Sequence, residues 1–290
     1  MSYSSYILVF IFTIFMSINH QSTAATTTCG KSLSGHVNVF GGAIAERGDH
    51  PWKVALVKSD GNYLCGATLF STRKVITSAN CMQDKEESKP RLPSSFIAVL
   101  GIYDLNDKFE IGRTSNAIRS VHVHPEWNIK SDDYDADIAV LVLADSAVFT
   151  KYIQPACIVH PDTNEAAIAK GVIIGYGKSE DTTKIHENIP RLLEMPIHTN
   201  QDCFIKFPLL EELSSKRTFC AGSANGAGPC NGDSGGGLFV YANGKFYLRG
   251  IVSSVLIGGQ YGCDIDAYAV FTDVTKYVDW INGVSLSRYN

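Results

Sequence analysis

The stretch Cys230-Asn-Gly-Asp-Ser-Gly-Gly236 places a serine among glycines, shortly after a cysteine. Glycines on both sides leave the backbone around Ser234 open, which suits a side chain that acts as a nucleophile. The backbone N–H groups of Gly232 and Ser234 can converge on a developing oxyanion, as acyl transfer requires. A plain glycine-rich turn would have the same composition, so this stretch alone leaves both interpretations open.

The first 24 residues have the pattern of a secretory signal peptide. An apolar run from Ile7 to Met16 is followed by small residues up to Ala24, although no Lys or Arg precedes the run. A membrane span needs about 20 apolar residues, so this run is too short to serve as an anchor. We therefore predict a secreted, extracellular protein whose mature form has no membrane anchor.

The composition argues against nucleic-acid binding. Charged residues make up 19% of the chain, the formal net charge is −4, and no dense basic block occurs. A nucleic-acid surface requires clustered Lys and Arg that neutralise phosphates. We therefore expect no nucleic-acid partner.

Eight cysteines occur, and all of them follow the predicted signal peptide. An even number of cysteines in an exported chain favours disulfides over metal sites. Neither a CxxC pair nor a His/Cys cluster with ligand spacing is present, so the sequence predicts no metal site and no cofactor. Spacing alone leaves all 105 possible pairings open.

Short β-type runs separated by turn signals extend over most of the chain, which predicts an all-β barrel or sandwich. The Asn243-Gly244 pair, with aromatic and β-branched residues on both sides, predicts a hairpin. Near the C-terminus, Val274, Tyr277, Val278 and Ile281 have the i, i+3, i+4, i+7 spacing of one amphipathic helix. The runs span residues 52–57, 74–77, 138–143, 171–177, 236–241 and 246–252.

Further motifs follow one another in an order that resembles the chymotrypsin-like (trypsin-fold, S1) serine proteases. The resemblance extends from about Val39 to Ile281. Besides the stretch at 230–236, it rests on Val39-Phe-Gly-Gly42, Pro51-Trp52, Cys65-Gly66, His124-Pro125, Asp137-Ile-Ala-Val-Leu141 and Val278-Asp-Trp-Ile281.

The resemblance implies two six-stranded antiparallel β-barrels with a C-terminal helix and an active cleft between the barrels. It divides the chain into a signal peptide at 1–24, a leader at 25–38 and a peptidase S1-like domain at 39–290. We expect no regulatory module, such as a clip domain, in the leader. The implied disulfides are Cys29–Cys157, which tethers the leader, and Cys65–Cys81, Cys203–Cys220 and Cys230–Cys263.

One departure from the family concerns the catalytic base. The family carries a histidine immediately before the second cysteine of the first disulfide, and this chain has Asn80 there. An amide nitrogen is not basic near neutral pH, so Asn80 cannot take the proton of Ser234 and return it to a leaving group. Loss of the base costs on the order of 10⁶-fold in rate.

No other histidine is expected to replace the missing base. By the family layout, none of the histidines that follow the signal peptide lies beside Ser234, and we interpret them as ordinary surface or loop residues. They are at positions 36, 50, 122, 124, 160, 186 and 198.

Activation departs from the family as well. A cut after Arg or Lys usually frees an α-ammonium that pairs with the aspartate before the serine, here Asp233. The residue before Val39 is Asn38, and the nearest preceding basic residue is Lys31. An activator of trypsin-like specificity therefore has no target at the Asn38–Val39 bond.

The resemblance places the specificity pocket at Gly228, Ser253, Val255 and Ala269. Gly228 stands where trypsin-like members carry Asp, and Ser254-Val255 replaces the usual Trp-Gly. Ala269 stands where a glycine usually keeps the wall open. We expect this pocket to be shallow or closed, and a small apolar pocket like that of elastase is the alternative.

Asp137 and Ser234 persist from the triad, and a structural role accounts for both: Asp137 can hydrogen-bond Asn80 and nearby amides without any chemistry. We therefore predict an inactive serine protease homologue, as occurs among invertebrates. It would bind proteases, zymogens or inhibitors in extracellular cascades of immunity or clotting, or act in saliva or venom. The alternatives are a weakly active endopeptidase that uses Ser234 by an unusual mechanism, and a structural or storage protein.

Overall fold

A computed structural model describes residues 28–33, 43–83, 89–177, 186–224, 227–258 and 262–286. The predicted signal peptide and the Asn38–Val39 bond lie outside these residues. Strands dominate the described residues, as the short β-type runs predict. The strands are β1 (Ala43–Ile44), β2 (Lys53–Lys58), β3 (Tyr63–Leu69), β4 (Lys74–Thr77), β5 (Phe96–Leu100), β6 (Thr114–Val123), β7 (Ala139–Leu143), β8 (Cys157–Ile158), β9 (Lys170–Gly177), β10 (His186–His198), β11 (Thr218–Ala221), β12 (Gly237–Ala242), β13 (Lys245–Ser254) and β14 (Ala269–Asp273). The α-helices are α1 (Asn200–Lys206) and α2 (Val278–Gly283).

The first barrel consists of six antiparallel strands in the order β2-β3-β4-β7-β6-β5, and it closes where β5 pairs with β2. The central strand β7, with the sequence Ala-Val-Leu-Val-Leu, is buried at every position. Its side chains alternate between the two faces of the sheet, so both faces of this strand are covered.

The second barrel consists of β9-β10-β11-β14-β13-β12 and closes through pairing of β12 with β9. Strand β1 adds to the outside of β10, and β8 pairs in parallel with β13. The prediction of two six-stranded antiparallel barrels is confirmed.

The β12–β13 hairpin turns at Asn243 and Gly244, as the sequence predicts. Both residues have positive φ, +50° and +74°, which is the conformation of a type I′ turn. Asparagine and glycine tolerate this conformation better than other residues because one has a short polar side chain and the other has no Cβ.

The C-terminal helix is shorter than the apolar spacing predicts. Residues Val274–Lys276 form a 3₁₀ turn, and α2 begins only at Val278. The Asp273 carboxylate accepts a hydrogen bond from the Thr275 N–H at 3.0 Å, which favours the tighter turn. Tyr277 then leaves helical geometry, with φ −125° and ψ 7°. The predicted apolar face still packs on the core, where Val274, Tyr277 and Ile281 are buried.

The two barrels share an apolar contact built around Trp52, which is fully buried. Its ring lies 5.4 Å from that of Phe239 and 5.2 Å from that of Phe246, both on the second barrel. Aromatic pairs at such separations contribute more than their buried area alone. The core therefore continues from one barrel into the other.

Four disulfides occur within the described residues. Cys29–Cys157 links the leader to the segment that forms β8, and Cys65–Cys81 joins β3 to the 3₁₀ turn after β4. The other two lie in the second barrel, at Cys203–Cys220 and Cys230–Cys263. These are the pairs that the family resemblance implies.

A charged network around Arg217 ties the second barrel to the β6–β7 loop of the first. The Arg217 guanidinium pairs with the carboxylates of Glu126 and Asp135, and its Nε lies 3.0 Å from Asp135 Oδ1. The Ser215 hydroxyl donates to the same Oδ1 at 2.7 Å. Because Arg217 and Asp135 are both partly buried, this pairing is screened less than an ordinary surface ion pair.

We expect Arg217→Met to lower the free energy of unfolding by about 1–3 kcal/mol, because it leaves the half-buried Asp135 without its charged donor. Urea denaturation of the mature protein measures this difference. Lys216→Met, which removes the exposed neighbouring cation, is the matched control and should change stability by less than about 0.5 kcal/mol. Equal effects of the two substitutions would contradict a specific role for Arg217.

Candidate functional site

A cleft of about 460 Å³ lies between the two barrels. Residues from both barrels line it, so its shape depends on how the barrels pack together. The residues that matter for its chemistry are Asn80, Trp127, Tyr134, Ser234, Ser253, Val255 and Ile257.

Asn80 lies directly against the Asp137 carboxylate. Its backbone N–H donates to Asp137 Oδ1 and its side-chain Nδ2 donates to Asp137 Oδ2, both at 2.7 Å. The same Nδ2 also donates to the carbonyl oxygen of Ser253 at 3.2 Å. Asn80 begins the 3₁₀ turn after β4, which brings its backbone and side chain to the same carboxylate.

Asp137 is fully buried and is held by both barrels. The Ser253 hydroxyl on β13 donates to Asp137 Oδ2 at 2.6 Å, and the Thr272 hydroxyl on β14 donates to the Asp137 carbonyl at 2.9 Å. Burial raises the pKa of Asp137 to about 6, and the hydrogen bonds from Ser253 and Asn80 oppose this rise. The preceding residue, Ala136, has a φ of +56°, a conformation that is uncommon outside glycine and asparagine.

Ser234 lies on residues 230–236, which we name the serine loop, and the loop is attached to both barrels. The Ser234 carbonyl accepts from the Gly66 N–H on β3 at 2.9 Å, and the Gly235 N–H donates to the Val252 carbonyl on β13 at 2.9 Å. Gly235 has a φ of +77°, and a Cβ there would come within 2.2 Å of Thr77 Oγ1. A glycine is therefore required at this position for the loop to approach β4 so closely.

Gly232, the other residue assigned to the oxyanion hole, is oriented by a tyrosine of the first barrel. The Tyr63 hydroxyl donates to the Gly232 carbonyl at 2.9 Å, and Gly232 has a φ of +101°. The assignment of the Gly232 and Ser234 N–H groups to an oxyanion hole remains a prediction.

The assignment of the specificity pocket to Gly228, Ser253, Val255 and Ala269 remains a prediction. Ser253 and Val255 line the cleft, and Ser253 also holds Asp137. Among the described residues, neither Gly228 nor Ala269 belongs to the cleft lining. Ala269 is buried in the core of the second barrel, and a Cβ at Gly228 would meet the Ile265 carbonyl at 3.3 Å.

Asp233, next to Ser234 in the serine loop, is buried. Its carboxylate accepts from the Gly177 N–H at 2.8 Å and from the Cys230 N–H at 3.0 Å. Burial raises the pKa of Asp233, and these two hydrogen bonds, together with the charge of Lys53, oppose the rise. The sequence motifs do not identify Lys53 as part of this region. A lysine at the start of the apolar run 53–57 was the available signal.

No histidine lines the cleft within the part of the chain that the structure describes. His50 is buried among aromatic rings instead, 5.5 Å from Trp52 and 5.3 Å from Phe246, and burial lowers its pKa to about 3. His124 packs 4.8 Å from the ring of Trp280. His36 and the side chain of His186 lie outside the described residues.

The arrangement supplies hydrogen-bond donors and an acidic group, and the side chain beside Asp137 is an amide. An amide donates and accepts hydrogen bonds but does not take up a proton near neutral pH.

The described residues contain no cluster of three or more His, Cys, Asp or Glu that could hold a metal ion. Among them, no helix is both long and apolar enough to cross a membrane.

Residues 39–281 match the family model described as Trypsin. The match covers most of the chain and agrees with the two-barrel fold. The chain therefore belongs to the trypsin family of chymotrypsin-like serine proteases.

Three insect proteins are among its relatives. The chain is 31% identical over 270 residues to serine protease gd of Drosophila melanogaster, covering 81% of this chain and 50% of that protein. It is 29% identical over 273 residues to CLIP domain-containing serine protease B15 of Anopheles gambiae, covering 90% and 73%. It is 30% identical over 284 residues to phenoloxidase-activating enzyme 1 of Spodoptera litura, covering 92% and 72%. The chain thus spans half the length of the first relative.

We expect the stability that Asp137 contributes to depend on pH. Its pKa is about 6 in the folded protein and 3.8 ordinarily, so the folded state binds the proton more tightly. This contribution is therefore fully present below about pH 4 and falls by about 3 kcal/mol as the pH rises through 6.

The measurement is urea denaturation of the wild type and of Asp137→Asn at pH 4, 5, 6 and 7. The unfolding free energy of the wild type relative to the variant should decrease across this range. Asp145→Asn, which removes an exposed carboxylate of the same barrel, is the matched control. A difference between wild type and Asp137→Asn that does not change with pH would contradict the prediction.

Proposed function

We propose that this chain is a secreted, catalytically inactive serine protease homologue that acts by binding other proteins. The observation that carries the proposal is Asn80, whose side-chain amide lies 2.7 Å from the Asp137 carboxylate. In the family this is the place of the catalytic histidine. The signal-peptide pattern at the N-terminus supports secretion.

The chemistry of acyl transfer supports inactivity. The Ser234 hydroxyl must lose its proton as it attacks a carbonyl, and the leaving amine must receive one. Asn80 can do neither, and the described residues of the cleft include no histidine in its place. The oxyanion hole and substrate binding would leave roughly 10³–10⁴-fold acceleration over water, far below the rate of a working protease.

The hydrogen bonds of Asp137 support a structural role for the remaining triad residues. Its carboxylate accepts from the backbone and side chain of Asn80 and from Ser253. A buried carboxylate needs such donors to stay in place whether or not it takes part in a reaction. Retention of Asp137 and Ser234 is therefore compatible with a protein that only binds.

The partners we propose are proteases, zymogens or protease inhibitors of an extracellular cascade. The cleft offers a concave surface, and Ile257 in its lining is an apolar side chain that is 92% exposed. The relatives include proteins named phenoloxidase-activating enzyme 1 and phenoloxidase-activating factor 3, and these names support a role for this chain in a cascade of activating proteases.

A second candidate is a weakly active serine endopeptidase of unusual mechanism. The observation that favours it is that Ser234 lies in the same cleft as Asn80, next to the Asp137 network. Water, or a group of the substrate, would then take the serine proton in place of a histidine.

Peptide-library hydrolysis separates the two candidates. We expect purified mature wild type and Ser234→Ala to turn over substrates at the same background rate, because the serine has no base. Asn80→His should raise hydrolysis at least ~100-fold over wild type if the missing base is what limits the cleft. The Asn80→His/Ser234→Ala double variant is the matched control and should stay at background.

Hydrolysis by wild type clearly faster than by Ser234→Ala would reject inactivity and favour the second candidate. If Asn80→His also stays at background, the inactive assignment stands. The activation and the pocket would then limit the cleft as well.

Binding is tested with purified trypsin-family proteases, their zymogens and protein inhibitors in surface plasmon resonance. We expect Ile257→Arg to weaken binding at least ~10-fold, because it replaces an exposed apolar side chain of the cleft with a charge. Ile205→Arg changes a residue of α1 that is 74% exposed and outside the cleft lining, so it should bind like wild type. Equal effects of the two substitutions, or no binding to any of these partners, would count against the cleft as the docking site.

A further inference from the structure

The buried carboxylate of Asp233 occupies a position that is paired with a cation in the family. In the family, that cation is the α-ammonium released by an activating cut. Here the bond before Val39 follows Asn38, so it lacks the usual basic residue. Asp233 belongs to the serine loop and is nevertheless only 9% exposed. An uncompensated charge at such a position is costly, because burial removes its hydration.

Lys53, the first residue of β2, approaches the same region from the first barrel. It is only 7% exposed, which is rare for a lysine without an opposite charge nearby. Its ammonium lies 3.3 Å from the centre of the Tyr176 ring, a cation–π contact. The Tyr176 ring therefore fixes the position of the ammonium.

One tripeptide, Gly175-Tyr176-Gly177, holds both charged groups. The tyrosine in the middle supplies the ring beneath the Lys53 ammonium. The two glycines make room for the carboxylate, since a Cβ at Gly175 or Gly177 would come within 1.7 or 1.8 Å of the Asp233 carboxylate oxygens. The Gly177 N–H also donates to Asp233 at 2.8 Å.

Lys53 and Asp233 also line one small cavity of about 10 Å³, together with Gly66 of β3 and Gly236 of the serine loop. That volume is close to the minimum for a single water molecule, so the cavity that both residues line has room for about one water at most. Each charge opposes the effect of burial on the other. Asp233 raises the pKa of Lys53, which burial lowers to about 7, and Lys53 lowers the pKa of Asp233, which burial raises.

We propose that Lys53 is a built-in cationic partner of Asp233, which keeps the serine loop folded without a cut at the Asn38–Val39 bond. Lys53 is thus a positioning residue that acts on the serine loop through Asp233. The attraction links β2 of the first barrel to the serine loop of the second. With this attraction, the shape of the cleft does not depend on cleavage by an activating protease. The role of Lys53 is the same whether or not the cleft hydrolyses peptides.

The test is amide hydrogen exchange of residues 230–236 in the mature chain, with N-terminal sequencing to verify that the chain is uncut. We expect wild type to be protected. Lys53→Met and Asp233→Asn should each increase exchange of the serine loop at least ~10-fold, because each removes one member of the pair. Lys58→Met, which removes an exposed lysine at the other end of β2, is the matched control and should exchange like wild type.

The Lys53→Met/Asp233→Asn double variant distinguishes a charge pair from two separate packing roles. A charge pair predicts that the double variant exchanges no faster than either single variant, since no unpaired charge remains. It also predicts that the double variant folds even where Lys53→Met alone does not. The proposal is overturned if Lys53→Met leaves exchange unchanged, if the two effects multiply, if neither the single nor the double variant folds, or if protection appears only after cleavage at Asn38–Val39.

Discussion

The buried Asp137 carboxylate is the interaction on which the arrangement of the cleft depends. It belongs to the first barrel and accepts hydrogen bonds from Asn80 of the same barrel and from Ser253 of the second. Thr272 of the second barrel donates to its backbone carbonyl. Because a fully buried carboxylate without its donors would be expensive, these contacts hold the two barrels in one relative position.

The serine loop depends on the same packing of the barrels. Gly66 of β3 donates to the Ser234 carbonyl, and Tyr63 of the same strand donates to the Gly232 carbonyl. A loop held in this way keeps its shape through hydrogen bonds and a glycine-sized gap at Gly235, and neither depends on proton transfer. A trypsin-family cleft can therefore persist as a binding surface in a chain that has an amide where the base is expected, which is the function we propose.

Local patterns predicted much of the fold. The β-type runs at 74–77 and 171–177 coincide with strands to within a residue, and the Asn243-Gly244 turn has the expected positive φ angles. The terminal helix is shorter than predicted, because Asp273 favours a 3₁₀ turn that apolar spacing does not reveal.

For the site, the motifs identified Asn80, Asp137 and Ser234, which the structure brings to one cleft and its immediate border. They did not predict that Ala269 is buried in the core of the second barrel.

The sequence by itself determined the all-β class of fold and the presence of an amide before Cys81, whereas the four cysteine pairs were implied only by the family resemblance. These features depend on residue type and order, which can be seen in the chain alone. Only the tertiary structure decided which groups share a buried environment: Asp137 with Ser253, and Lys53 with Asp233 across a small cavity. The physical reason is that burial and charge interactions depend on distances between residues far apart in sequence, and packing of the two barrels sets those distances.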